Sequence, residues 1–316
     1  MNKELVKTLS FLSVVLLLLF VTDRICGAAM WWVNQHTKDI TGPKIRHLMT
    51  GVDADVVMLG ASSCNLHYVP SIMSDTLGLS VYNGGIDASD NIYAHYFVLR
   101  HLLLHSTPKV VVLETMAPDC RTKLPPFRTL GFFAPYIGTE QVSDSLFRMA
   151  GTYWPYMISH LYRYNSKAVS NLLGLLVDKQ KGSDNGYIAQ GQPPAFPQSL
   201  EQDALQGSVD SLKLEYLQRL IDLCRKKEVK LVFSVSPKYV VYEDTVYAPI
   251  REIAMRNHVP MLNYHESRTY QDFPEYFHDI LHLWDKGARL YSSTFAHDLK
   301  HIISVTPDIS AREEER

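Results

Sequence analysis

The chain has 316 residues, 46% of them hydrophobic and 20% charged, enough for one large α/β domain with chain to spare. A net charge of -2 and a pI near 6.7 exclude the basic footprint of a nucleic-acid binder. The four cysteines (Cys26, Cys64, Cys120, Cys224) lack C-x-x-C spacing, which argues against structural zinc. They read as free, mostly buried thiols, with a Cys64–Cys120 bridge as the alternative in an oxidising compartment.

At the N-terminus Lys3 and Lys7 precede an apolar run from Leu12 to Val21, and weaker apolar character continues to Trp32. The core of this run, Thr8 to Val21, covers roughly 21 Å as helix, short of a hydrocarbon layer of about 30 Å. Extension to Ala29 closes the gap if Asp23 and Arg24 pair or snorkel near the outer interface, with Trp31 and Trp32 as an aromatic belt. The small residues Gly27 to Ala29 also suit a cleaved signal peptide, but the charges just before them disfavour cleavage. The expectation is an uncleaved, single-pass anchor over residues 1–33. The basic N-terminal side would face the cytoplasm and the remainder would lie outside the membrane. A polar connector is expected over 34–52.

From residue 53 the pattern alternates strand and helix. Val56 to Gly60 reads as a buried strand, and small residues follow it: Ala61, Ser62, Ser63. A helix with apolar spacing around Ile72 and Leu77 comes next, then a short strand over Leu79–Tyr82, ended by Asn83-Gly84-Gly85. Asn91 to His105 reads as helix, and Lys109–Glu114 as a strand buried on both faces. Further on come a helix over Leu212–Lys227, a strand over Lys230–Val235 ended by Ser236-Pro237, a helix over Val246–Asn257, a weaker strand over Val259–Asn263 and a last helix from Asp285 to Leu299. This alternation predicts a five-stranded parallel sheet in a three-layer α/β/α sandwich, spanning 53–303, with a disordered, charged tail over 304–316. Residues 115–207 interrupt it. Their first half is rich in aromatics (Phe132, Phe133, Tyr136, Tyr153, Trp154, Tyr156) and reads as a helical insertion, while Lys179 to Ser199 reads as loop. The aromatics suit a satellite core, or a surface that meets a sugar or a membrane.

Two stretches carry chemistry. A strand followed by a tight turn and a helix pushes one side chain out at the carboxyl edge of a sheet, and Ser62 stands there. Ser63 is the rival if the turn falls one residue later; Cys64 suits packing under the helix, and His67 suits the helix surface. The second stretch is Phe277 to Ser292, where Asp279 and His282 stand three apart before the last helix. An aspartate so placed can hold the imidazole in the tautomer that accepts a proton at Nε2. On either stretch alone, a plain turn or a helix cap is the simpler reading. His101 with His105, and His278 with His282, have a metal pair's spacing without further ligands. No glycine-rich phosphate loop supports a nucleotide, so no cofactor is expected.

Taken together, Gly60-Ala61-Ser62, the Gly85 turn and Asp279-x-x-His282 resemble the first, second and last blocks of the SGNH (GDSL-type) hydrolase superfamily. The context D-I-L-H-L-W-D-K-G-A-R-L-Y-S is similar to its membrane-anchored envelope members, of the D-alanyl-transfer-like and exopolysaccharide-acetylation-like kinds. The resemblance covers residues 54 to 300 without the insertion. It implies a flavodoxin-like strand order, Ser62 as nucleophile, His282 as base, Asp279 as its orienter, and an oxyanion hole from the Ser62 and Gly85 amides. It further implies an acylated polysaccharide or glycan as substrate, for an esterase or O-acyltransferase facing the periplasm or exterior of a bacterial inner membrane. Two departures stand out. Ala61 replaces the first-block Asp, and Glu114-Thr115-Met116-Ala117 stands where the third block carries G-x-N-D. The second leaves an oxyanion donor to be found elsewhere, with Asn83 and Asn65 nearby, or makes the chain an inactive carbohydrate-binding or envelope-assembly factor.

Overall fold

A computed structural model describes residues 3–89, 91–122, 127–197, 201–202, 207–242, 245–265 and 267–305. The charged tail expected at 304–316 lies outside the described residues from 306 onward. By contacts the chain divides into two compact units, one formed by Met1–Arg46 with Phe127–Lys181 and the other by His47–Pro126 with Gly182–Arg316.

The second unit is an α/β fold. Five strands, β1 (Val56–Leu59), β2 (Val81–Asn83), β3 (Val110–Glu114), β4 (Lys230–Val235) and β5 (Met261–Asn263), form an all-parallel sheet in the order β2-β1-β3-β4-β5. Val57 pairs with Val111 and Val111 with Leu231. Every residue of β1 and β3 is buried, as a parallel sheet covered on both faces requires. On one face lie α3 (Ser62–His67), α4 (Pro70–Leu77) and the C-terminal helix Asp285–Val305, whose Tyr291, Phe295 and Leu299 close a core with Val56, Met58, Val110 and Val112. On the other, α5 (Ile92–His105) packs against the helix Ser211–Lys226. The order reverses between β1 and β3, and ligands of such folds collect at that switch point, beyond the carboxyl ends of the strands. The sequence-predicted strands stand within a residue or two of their places. β2 starts two residues late, at Val81, because Leu79 and Ser80 lead into it with Ser80 O accepting from Val56 N–H, and β5 likewise starts at Met261 rather than Val259.

The first unit is helical. Helix α1 runs from Lys3 to His36, about 51 Å at the usual rise per residue. It is long and apolar enough to cross a membrane. Its apolar residues from Leu5 to Ile25 are exposed except the half-buried Val15, and Gly27, Met30, Val33 and Asn34 are buried. The expected connector at 34–52 is therefore the end of α1, a turn, and α2 (Gly42–Thr50). The insertion supplies short pieces: a 3-10 stretch Arg128–Tyr136, α6 (Gln141–Met149), α7 (Tyr153–Ile158), a 3-10 turn Leu161–Tyr164 and α8 (Ala168–Leu173). Its Phe133, Tyr136, Phe147 and Tyr164 are buried, and Tyr164 packs with Met30 and Val33 of α1.

Candidate active site

Backbone approach fixes the rim where the candidate residues stand. After β1, a Cβ on Gly60 would lie 2.6 Å from Cys64 Cβ and 2.9 Å from Glu114 Cβ, so only glycine lets the chain turn straight into α3. After β2, a Cβ on Gly85 would stand 2.3 Å from the Asn65 nitrogen, so this loop presses directly on the first turn of α3. Ser62 is the first residue of that helix, and its N-cap, Ala61, has no side chain to bond the free amides. The Ser62 N–H has no partner among the described residues.

Ser62 and His282, 220 residues apart in the chain, meet here. The Ser62 Oγ lies 2.8 Å from His282 Nε2. On the far side of the ring, Nδ1 is 2.9 Å from Asp279 Oδ2 and 3.0 Å from Oδ1. Asp279 Oδ1 also accepts from the Leu281 and His282 amides at 2.8 and 2.9 Å, which fixes the carboxylate within its own loop. A bridge between Phe277 and Leu283 closes that loop, and the His278 N–H donates to His282 O at 2.7 Å. Burial tends to raise the Asp279 carboxyl, but the imidazole and the two amides outweigh it and hold it below the ordinary carboxylate range. With Asp279 ionised, Nδ1 carries the proton and Nε2 faces the serine as an acceptor. Ser63, the rival, is fully buried with its Oγ unpartnered among the described residues, and Cys64 is buried beneath the turn, while the imidazole bonds Ser62.

Beneath the loop lies a buried polar chain that the sequence pattern hid. His67, expected on the helix surface, is wholly enclosed because α4 and the C-terminal helix cover that side of α3. Its Nε2 accepts the Leu283 N–H at 2.9 Å, and its Nδ1 donates to Ser236 Oγ at 2.7 Å. Ser236 in turn donates its hydroxyl to Glu114 Oε1 at 2.6 Å and its N–H to the same oxygen at 2.9 Å. Glu114 also accepts from Tyr68 and lies 3.6 Å from Lys238 Nζ, with both ends of this ion pair buried. Burial, aided by the charges of Lys238 and His282, pushes His67 well below the ordinary imidazole value, so the ring stays neutral. Glu114, at the end of β3, faces inward and joins the ends of β3 and β4 to α3 and, through His67, to the His282 loop.

The Gly85 N–H, expected to face the reacting oxygen, donates to Asn83 Oδ1 at 3.0 Å. This is the local bond an asparagine makes to the amide two residues on, and the N-G-G order is its signal. Asn83 Nδ2 donates to the Cys64 and Tyr68 carbonyls at 2.8 Å each, and Asn65 Nδ2 donates to Asp87 at 2.8 Å. Both candidate substitutes are therefore engaged in tying the second loop to α3. Among the described residues no cluster of three or more His, Cys, Asp or Glu could hold a metal. His101 Nδ1 turns to the Phe97 carbonyl, and His278 Nδ1 to that of Gly191.

No protein-family model matches the chain, and no curated protein does. Among solved structures, a Bacteroides fragilis chain described as a candidate acylhydrolase aligns over 82% of this chain and 94% of its own, at 12% identity and a TM-score of 0.39.

Proposed function

We propose that the chain is an SGNH-type serine acyl hydrolase or O-acyltransferase, held at a bacterial inner membrane by α1 and acting on acylated envelope glycans. The reading rests on one observation, the Ser62 Oγ at 2.8 Å from His282 Nε2 with Asp279 behind the ring. In this reading His282 Nε2 takes the Ser62 proton as Oγ attacks the ester carbonyl. The resulting imidazolium faces the Asp279 carboxylate, and the same proton passes to the departing alcohol. Water or a sugar hydroxyl then attacks the acyl-serine, deprotonated by the same ring. The unpaired Ser62 amide, at the positive end of α3, would receive the developing oxyanion. Tethering by α1 would concentrate the domain beside a lipid-linked acyl donor or an envelope glycan.

A second reading, a non-catalytic carbohydrate-binding or assembly factor, gains from the commitment of Gly85, Asn65 and Asn83 to structural bonds. One experiment separates the two: full-length protein in detergent, a short-chain aryl ester, and a serine-directed phosphonate. Cleavage and labelling that both vanish in Ser62→Ala, with cleavage also lost in His282→Ala, support the enzyme. An inert, unlabelled wild type supports the factor. Acetyl transfer to an added oligosaccharide distinguishes transferase from esterase.

A further inference from the structure

The two charged residues inside the apolar helix do not mainly serve each other. Asp23 and Arg24 approach to 3.9 Å, but their shorter bonds go elsewhere. Asp23 accepts from Ser159 Oγ at 2.5 Å and from the His160 and Leu161 amides at 2.9 and 3.2 Å. Arg24 donates to the Ile158 carbonyl at 2.8 Å. One turn further along α1, a Cβ on Gly27 would lie 2.5 Å from His160 Cβ, so glycine here lets the 158–161 backbone lie directly on the helix. Five bonding and packing contacts therefore fix this segment at the level of residues 23–27.

That level coincides with the edge of a bilayer. With Lys7 at the inner surface, about 30 Å of helix ends some 20 residues later, near Gly27. At this level the segment shows apolar side chains outward. Trp154 is 64% exposed and Ile158 69%, four residues apart on one face of α7, and Leu161 and Tyr162 follow at 42% and 47%. Phe11 and Leu16 of α1 are exposed to the same degree, at 67% and 66%. Arg148 lies over the Tyr153 ring at 3.5 Å and near Trp154 at 5.7 Å, the pairing of aromatic body and cation that suits the headgroup zone.

We propose that the segment Trp154–Tyr162 inserts into the outer interface of the bilayer and forms a second membrane contact beside α1. The inference rests on α1 crossing a membrane, as proposed above. A lipid surface fits better than a protein partner because the segment is bonded to α1 at the level where the hydrocarbon ends. Asp23 and Arg24 then have their polar needs met by the segment's backbone at a depth where water is scarce.

The test uses the full chain in phosphatidylcholine vesicles whose acyl chains are brominated near the headgroup end. In one variant Trp31, Trp32 and Trp284 become Phe, leaving Trp154 as the emitter. A second variant carries Leu17→Trp in a chain with all four tryptophans replaced, and reports on α1 against lipids brominated deep in the chain. Strong quenching of Trp154, with Leu17→Trp also quenched, is the expected result. An unquenched Trp154 beside a quenched Leu17→Trp overturns the proposal while leaving the anchor standing. Loss of quenching at both positions overturns the two together, and quenching of Trp154 alone removes the crossing helix on which the argument depends. If the multiple variants fold poorly, wild type and the single surface change Trp154→Phe are compared; equal total quenching then counts against the segment.

Discussion

His67→Leu isolates what the buried chain does for the His282 loop. Leucine is close to histidine in size and keeps the space beneath the loop filled, but it has no acceptor for the Leu283 N–H. Leu283 is fully buried, so no water replaces the lost bond, and an orphaned buried donor costs about 1–3 kcal/mol. Ser236 loses one incoming bond but still donates to Glu114 Oε1, so little is added there. If about 2 kcal/mol falls on the loop alone, the equilibrium constant that holds His282 facing Ser62 drops by roughly 30-fold. The expected outcome is a kcat for aryl-ester cleavage lower by up to roughly 30-fold with KM little changed, since the wholly buried His67 presents nothing to a substrate. His67→Gln should recover part of it. A glutamine carbonyl can accept the Leu283 amide, and its NH2 can donate to Ser236. The measurements are initial rates for the three proteins, with thermal melting as a folding control. A folded His67→Leu protein with wild-type kcat would refute the reasoning, and so would a His67→Gln protein no better than His67→Leu.

Three more predictions follow from the same geometry. His95 is buried in α5, and burial lowers its pKa to about 4. Between that value and 6.5 the unfolded chain binds a proton that the folded one refuses, so stability falls as pH falls. At about 1.4 kcal/mol per pH unit this amounts to about 2 kcal/mol between pH 6.5 and 5. His95→Leu should remove that share, and parallel pH dependences of the two melting temperatures would show the idea wrong. Asp279→Asn should lower kcat by about 100- to 10,000-fold, because a neutral amide no longer fixes the Nδ1–H tautomer; an active Asn variant sinks the proposed role. Gly85→Ala must push the second loop off the Asn65 backbone, costing about 1–3 kcal/mol in melting and moving Ser62 from His282, so its rate should fall further than stability alone predicts.

The legible and illegible parts of this chain divide by the range of their causes. The runs at β1, β3 and β4 announce themselves because a parallel strand covered on both faces carries an unbroken apolar stretch, Val56–Leu59, Val110–Leu113 and Leu231–Phe233 here. Asp279 and His282 are readable as a pair because the loop between them is self-contained, and Ser62 because a strand, small residues and a helix adjoin. Glu114, His67, Ser236 and Lys238 leave no such trace. They lie at the ends of different elements, and only the sheet order brings them together. The engagement of Gly85 could have been seen, since an asparagine two residues before an amide is a local signal. The bonds of Asp23 and Arg24 to residues 158–161 could not, because they join segments more than 130 positions apart.

The charges around His282 are arranged unequally, and the inequality matters for the proposed chemistry. An imidazolium must form on this ring during acyl transfer, so its surroundings need a negative charge on one side and no added positive charge on the other. Asp279 meets the first need, held below the ordinary carboxylate range by the ring and two amides. His67 meets the second. Its ring lies 6.2 Å from that of His282, and a proton on it would repel the imidazolium and also cancel the lone pair that anchors Leu283. Burial keeps that proton off, and the nearby Lys238 charge adds to the effect. Glu114 draws Lys238 to itself, which makes a cation tolerable so deep in the fold. Glu114 would then act at one remove, by keeping the floor under the proposed base neutral and fixed.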